Sequence, residues 1–245
     1  MSTAVVVTSG KGGTGKTSLT GGVSSCLAAL GRRVLCIDMD IGLRNLDISL
    51  GLTDRALMDF TDVLEGHCSL KRAAVPHPVI QNLYLLTAPL TLPPSISEER
   101  MKAFLRMARE QYDYILMDSP AGMGEGFRLA VCGADRAIVV STTDASALRD
   151  AQRVVSQLSR QLPSIHLVVN RVQPKLLRRL HTTIDDAMDT AGLPLLGVVP
   201  EDEQVMLSAN QGKPIILASR KGAAVAYLNI ARRLMGERVP LMHIR

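Results

Sequence analysis

The octapeptide Gly10-Lys11-Gly12-Gly13-Thr14-Gly15-Lys16-Thr17 constrains this 245-residue chain more than any other feature. It matches G-x-x-x-x-G-K-[ST]. Before it lies a short β-branched run, residues 4–8. After it comes a helical pattern in which Leu19, Val23, Leu27 and Leu30 recur ahead of Gly31. Strand, glycine-rich turn and helix, in that order, is the context in which the pattern means a phosphate-binding loop. The glycines let successive backbone N–H groups curl around phosphate oxygens, and the helix opening after Gly15 adds its partial positive charge. Lys16 is then expected on the β- and γ-phosphates of a nucleoside triphosphate, with the Thr17 hydroxyl directly on Mg2+.

Further apolar runs at residues 34–37, 83–86, 114–117, 137–140, 166–169 and 195–199 are continuous, which is how strands covered on both faces read. Helical patterns separate most of them, notably 145–160, 176–191 and 222–235. Ser95-x-x-Glu98 has the form of a capping box opening a helix with Met101, Phe104, Leu105 and Ala108 on one face. There is no internal repeat, and the proline-rich residues 89–94 read as a loop. The alternation predicts one α/β domain over 1–245. It is the three-layer P-loop NTPase fold, a mostly parallel sheet with helices on both faces and its active edge at the strand C-termini.

Composition narrows the function. Apolar residues are 47% and charged residues 21%, and no apolar run approaches the ~18–20 residues of a membrane span. Residues 1–3 lead straight into the first apolar run without a basic segment, so no signal peptide is expected. Cys26, Cys36, Cys68 and Cys132 include no C-x-x-C pair. That favours buried thiols in a reducing cytoplasm over a disulfide framework, a structural zinc site or a metal-cluster scaffold. Aromatics are 3% and tryptophan is absent, which disfavours stacking on single-stranded nucleic acid. The net charge of +5 comes from residues 151–245, where 13 Lys and Arg face 7 Asp and Glu. Such a bias suits either an anionic partner or an ordinary solvated face.

Asp38 and Asp40 follow the second apolar run, and Asp118 ends a later one. At strand C-termini beside a phosphate loop, Asp38 and Asp118 are placed to hold Mg2+ through water, and Asp40 to orient an attacking water. Each alone also suits a helix cap or a turn. Lys11 is surplus to a phosphate cradle, and loop physics leaves it open between a solvated charge and a functional cation.

Lys11-Gly12-Gly13-x-Gly15-Lys16-Thr17 resembles the deviant Walker A motif, with its additional signature lysine. Ile37-Asp38-Met39-Asp40-Ile41-Gly42-Leu43-Arg44-Asn45-Leu46-Asp47 is similar to switch I of the septum-site-determining (MinD) branch of the ParA/MinD family. Asp118-Ser119-Pro120-Ala121-Gly122 is similar to its switch II, and Pro200-Glu201-Asp202 and Asn210-Gln211-Gly212 to its late motifs. The likeness runs from residue 2 to about residue 238. It implies a slow, partner-stimulated ATPase that uses ATP and Mg2+, forms a homodimer with ATP and regulates placement of the bacterial division septum. Gly10, Lys11, Gly12, Gly13, Thr14, Gly15, Lys16, Thr17 and Ser18 would form the phosphate site, with Lys11, Lys16 and Asp40 in catalysis. Lys11 would reach across the dimer to the other subunit's phosphates. Asn170 and Arg171 would sit on the adenine side, and the backbone of Pro200 and Glu201 would contact the base. Arg149 and Asp150 would meet the division inhibitor MinC and the activator MinE. The implied location is the cytoplasm, with cycling to the inner face of the plasma membrane.

Two departures stand out. After Ala121-Gly122 the family usually has an apolar residue and then Glu, whereas here Gly124 takes that place and Glu125 follows. The family also normally ends in an amphipathic membrane-inserting helix. Residues 236–245 offer only Val239, Leu241, Met242 and Ile244 around Pro240, which breaks any helix, so this chain alone is expected to bind membranes weakly or not at all. Three rival readings remain. A DNA-partition ATPase would use the basic C-terminal half. The Arg44-Asn45 string argues against a flagellar-number regulator. Lys11, and the lack of an evident acceptor site, count against a small-molecule kinase or amide-forming synthetase.

Overall fold

The computed structural model describes residues 2–242. Among them, eight strands form one sheet. They are β1 (Thr3–Thr8), β2 (Val34–Asp38), β3 (Val75–Pro76), β4 (Leu83–Leu86), β5 (Tyr114–Asp118), β6 (Arg136–Ser141), β7 (Ser164–Val172) and β8 (Leu195–Pro200). Their spatial order is β3-β4-β2-β5-β1-β6-β7-β8, and every pair is parallel except β3 with β4. The seven apolar runs of the sequence are seven of these strands. The eighth, β3, is two residues at the sheet edge and carries Pro76, so it has neither the length nor the apolar pattern that reveals a strand.

Because β1 lies inside the sheet, its side chains alternate between two cores. Val5 and Val7 join Leu19, Leu27 and Tyr227 under the helices Lys16–Ala29 and Ala223–Leu234. Ala4 and Val6 join Ile37, Phe104 and Val154 under the helices Glu98–Arg109 and Ala145–Leu158. This is the expected three-layer arrangement. The Lys16–Ala29 helix departs from a one-faced pattern, since Gly21, Gly22, Ser24 and Ser25 are buried as well as the leucines. These small residues let a second helix come close, and a Cβ at Gly22 would overlap the Tyr227 ring.

Three local expectations need correction. The helix after Ser95 begins at Glu98 and is capped by Ser97, whose hydroxyl accepts from the Arg100 N–H at 3.3 Å. Ser95 instead donates to Glu65. Residues 176–191 are not one helix but two, Pro174–Leu180 and Ile184–Ala191. His181 takes left-handed backbone at φ 52°, and Thr183 opens the second helix with a reciprocal cap to Asp186. Apolar spacing continued across that break and hid it. Of the four free thiols, only Cys26 and Cys36 are buried, while Cys68 and Cys132 are half-buried.

The described part of the tail forms no helix, in keeping with Pro240. The Arg233 guanidinium donates to the carbonyls of Leu196, Val239 and Pro240, which holds the tail along edge strand β8. His243, Ile244 and Arg245 lie outside the described residues. Among the described residues, no helix is long and apolar enough to cross a membrane.

Candidate functional site

Sheet register brings the acidic residues together. Asp38 of β2 pairs with Asp118 of β5, and Asp118 pairs with Val7 of β1, one residue before the strand gives way to the glycine-rich loop. Both carboxylates are 1% exposed. Asp38 accepts the backbone N–H groups of Asp40 at 2.9 Å and Leu46 at 3.1 Å. Asp118 accepts the Thr20 hydroxyl at 3.1 Å, and the neighbouring Thr17 hydroxyl acts to lower its pKa. Burial pushes Asp38 up to about 6 and Asp118 up to about 7, and the proximity of other carboxylates adds to both shifts. Burial lowers the Lys16 ammonium, while Asp118 and Asp40 pull it back up. Asp40 is half-buried and raised by that burial, with Lys16 acting against the rise. Paired buried carboxylates beside a threonine hydroxyl suit a hard divalent cation, which would relieve the charge that burial resists.

The loop itself suits a phosphate. Gly15 is the N-cap of the Lys16–Ala29 helix in left-handed backbone, φ 89°. No side chain caps the first turn and no acid sits in it, so its leading amides and positive end are left for an anion. Thr14 Oγ1 is buried without a hydrogen-bond partner. That orphaned hydroxyl is what a loop closed around a ligand oxygen leaves behind.

Asn170, Arg171 and Glu201 meet the loop from its other side. Asn170 Nδ2 donates to the Thr14 carbonyl at 2.7 Å, and Arg171 Nη1 donates to the Gly13 carbonyl at 3.3 Å. Arg171 also makes a two-pronged pair with Glu201, at 2.9 and 3.2 Å. Pro200, the last residue of β8, precedes Glu201, whose N–H donates to the Val172 carbonyl.

Lys11 points away from its own cradle. Its Nζ lies 3.0 Å from Asp144 Oδ2 and 2.8 Å from Ser146 Oγ, at the N-terminus of the Ala145–Leu158 helix. The Ser146 hydroxyl and Lys11 together hold the Asp144 carboxyl below the usual carboxylate range. Gly10 rests on the same helix, where a Cβ would overlap the backbone of Asp150. Arg149 is exposed on that helix, and Asp150 pairs with Arg153 at 3.4 Å. The helix expected to meet partners therefore touches the phosphate loop at two points. In switch II, Gly124 is the N-cap of the Glu125–Val131 helix, which places Glu125 in its first turn.

Asp144, Ser146 and Arg44 are the residues that sequence reasoning left without a role. Asp144 stands just beyond β6, so the cue that marked Asp38 and Asp118, a carboxylate past a strand end, applies to it as well. Arg44, at φ 47°, donates to the Ala88 carbonyl at 2.6 Å and reaches Asp59 at 3.5 Å, tying switch I to the exit of β4. No local pattern signals that contact.

Known proteins agree with this geometry. The family described as CobQ/CobB/MinD/ParA nucleotide binding domain matches residues 5–215. The septum site-determining protein MinD of Bacillus subtilis is 41% identical over 246 residues, covering 98% of this chain and 92% of that protein. The MinC:MinD cell division protein complex of Aquifex aeolicus contains a chain that superposes with a TM-score of 0.92 at 39% identity, over 99% of both chains. MinD of Pyrococcus horikoshii complexed with Mg-ADP superposes with a TM-score of 0.83 at 28% identity, over 96% of both. The chain accordingly belongs to the CobQ/CobB/MinD/ParA nucleotide-binding family and, within it, to the MinD septum-site-determining ATPases.

Proposed function

We propose that this chain is a dimerising switch in placement of the division septum, made by ATP binding and unmade by hydrolysis. Lys11 is the observation that carries the reading. A second loop lysine is tied to Asp144 and Ser146 of its own chain, and both members of the Lys11–Asp144 pair are about half exposed. Such a pair is worth only about 0–1 kcal/mol, so Lys11 is free to exchange Asp144 for the phosphates of a second copy. Its release would bare Asp144 and Ser146 on the helix that carries Arg149 and Asp150. Dimer formation would thereby be coupled to the surface that MinC-like and MinE-like partners meet.

Within one subunit, Lys16 and the amides of residues 10–18 would hold the β- and γ-phosphates. Thr17 would bind Mg2+ directly, and Asp38 and Asp118 would hold it through water. That ion, when bound, supplies charge neutralisation between the two phosphates. Asp40, half-buried beside Lys16, would orient the attacking water. Asn170 and Arg171 would flank the base while bracing the loop, with the Pro200–Glu201 backbone beside it. Turnover would be slow until a partner acts on the helix that carries Arg149 and Asp150. A DNA-partition role is not favoured, since the ParA-family ATPase of Chlorobium tepidum matches at 20% identity and so speaks to fold alone. Retention of a MinC-like partner on the immobilised chain tests the proposal. Retention with MgATP but not MgADP supports it, and equal retention with both rejects it.

A further inference from the structure

The late motif Asn210-Gln211-Gly212 has no part in the function set out above, yet its glycine lies against switch I. The short helix Leu46–Leu50 ends in Gly51, a left-handed C-cap at φ 66°. A Cβ at Gly51 would overlap the carbonyl group of Gly212, itself left-handed at φ 63°, so the two segments meet backbone on backbone. Gly212 closes the turn after the helix Glu203–Asn210, with its N–H on the Ala209 carbonyl at 2.9 Å. At the other end of the Leu46–Leu50 helix, the Leu46 N–H donates to Asp38 at 3.1 Å. Leu46 and Leu50 are fully buried, and the Leu50 carbonyl is held 3.1 Å from His77 Nε2. Five residues of helix span about 7–8 Å and move as one block.

We propose that Gly51 and Gly212 are positioning residues for hydrolysis. Their contact braces the Leu46–Leu50 helix and, through the Leu46 amide, sets the orientation of the Asp38 carboxylate. The proposal rests on the ATPase reading above. Its physical content is steric. A side chain at Gly51 must displace either the helix or the 210–213 turn. A displacement of about 1 Å takes the Leu46 N–H out of hydrogen-bond range of Asp38. Neither glycine touches a group placed on the nucleotide, and the Asp38 carboxylate that they set also accepts the Asp40 N–H at 2.9 Å, so the effect reaches the residue placed on the attacking water and falls on turnover before affinity.

Hydrogen–deuterium exchange on the full chain reads the brace directly, alongside ATP affinity and saturated turnover. The variants are Gly51→Ala, Gly212→Ala and the control Gly192→Ala. Gly192 is another left-handed C-cap, φ 67°, and a Cβ there meets nothing within 4 Å. Gly212→Ala keeps the test open should Gly51→Ala fail to fold. Its Cβ would lie no closer than 3.9 Å to another atom, so it carries only the strain of the backbone. The expected result for Gly51→Ala is faster exchange of residues 44–52, turnover down about tenfold or more, and ATP affinity within about twofold. Gly212→Ala, whose backbone strain relaxes the turn that abuts Gly51, should show the same changes in smaller measure, and Gly192→Ala none of them. Unaltered exchange at 44–52 in whichever of Gly51→Ala and Gly212→Ala folds, faster exchange there with undiminished turnover, or an equal effect from Gly192→Ala would each overturn the proposal. Failure of the unsubstituted chain to bind ATP would instead overturn the ATPase reading.

Discussion

Lys16 is nearly buried between Asp118 and Asp40, and its charge is useful only if an anion arrives. Lys16→Ala removes a charge-assisted hydrogen bond worth about 1.5–3 kcal/mol, so MgATP affinity should fall at least ~10-fold by calorimetry while the fold persists. Unchanged affinity would reject the phosphate-loop assignment. Asp118 makes a second prediction. Burial raises its folded pKa to about 7 from a usual value near 3.8, so the folded chain holds the proton more tightly than the unfolded chain. That stabilisation is complete below the unfolded pKa and is lost as pH rises through about 7. Without nucleotide and metal, the melting temperature should therefore fall as pH rises from about 3.8 to about 7 and level off above it. The shift is about 2–4 °C for each kcal/mol at this chain length. Asp118→Asn should flatten the slope. Comparing the two proteins isolates Asp118 from His77, whose pKa is lowered by burial and whose effect runs the opposite way. An identical slope in both would contradict the account. At this scale the sequence was informative wherever chemistry and spacing coincide, as for Lys16, Thr17 and the carboxylates at strand ends. It carried a cue for Asp144, a carboxylate past a strand end, but not the contact with Lys11, which joins residues far apart in the chain.

The elements show the same division. The apolar strands are each long enough to declare themselves, and their parallel order brings the loop after β1 beside the ends of β2 and β5. The edge strand β3 and the break at His181 escape a reading by periodicity, because one is too short and the other interrupts no apolar spacing. Capping is equally local, and a choice between Ser95 and Ser97 needed the position of Glu65. At the N-terminus of the Ala145–Leu158 helix, Asp144 tethers Lys11 within the monomer. Asp144→Ala should remove that competitor from both subunits and tighten ATP-dependent dimerisation by up to about thirtyfold, the equivalent of two exposed ion pairs of up to ~1 kcal/mol each. Analytical ultracentrifugation across a concentration series measures this. Weaker dimerisation would mean that Asp144 supports the dimer and does not compete with it.

Over the whole molecule, the sheet places the phosphate loop, the two switches and the Ala145–Leu158 helix on one edge, and the tail is fastened elsewhere, along β8. Fold class and the location of the site were both legible in the sequence. The mutual contacts that make the edge a switch, Lys11 with Asp144 and Gly51 with Gly212, were not, since each depends on two distant segments arriving within a few ångströms. Lys11 would act across a nucleotide-dependent dimer, and Asp40 would end that dimer by positioning the water for hydrolysis. Light scattering coupled to size exclusion tests this most directly, on Asp40→Ala and Lys11→Ala with saturating MgATP and with MgADP. Asp40→Ala should run at twice the 26.4 kDa chain mass with MgATP, persist without phosphate release, and be monomeric with MgADP. Lys11→Ala should bind ATP with near-normal affinity and remain monomeric with either nucleotide. A Lys11→Ala protein that dimerises normally with MgATP would contradict the account.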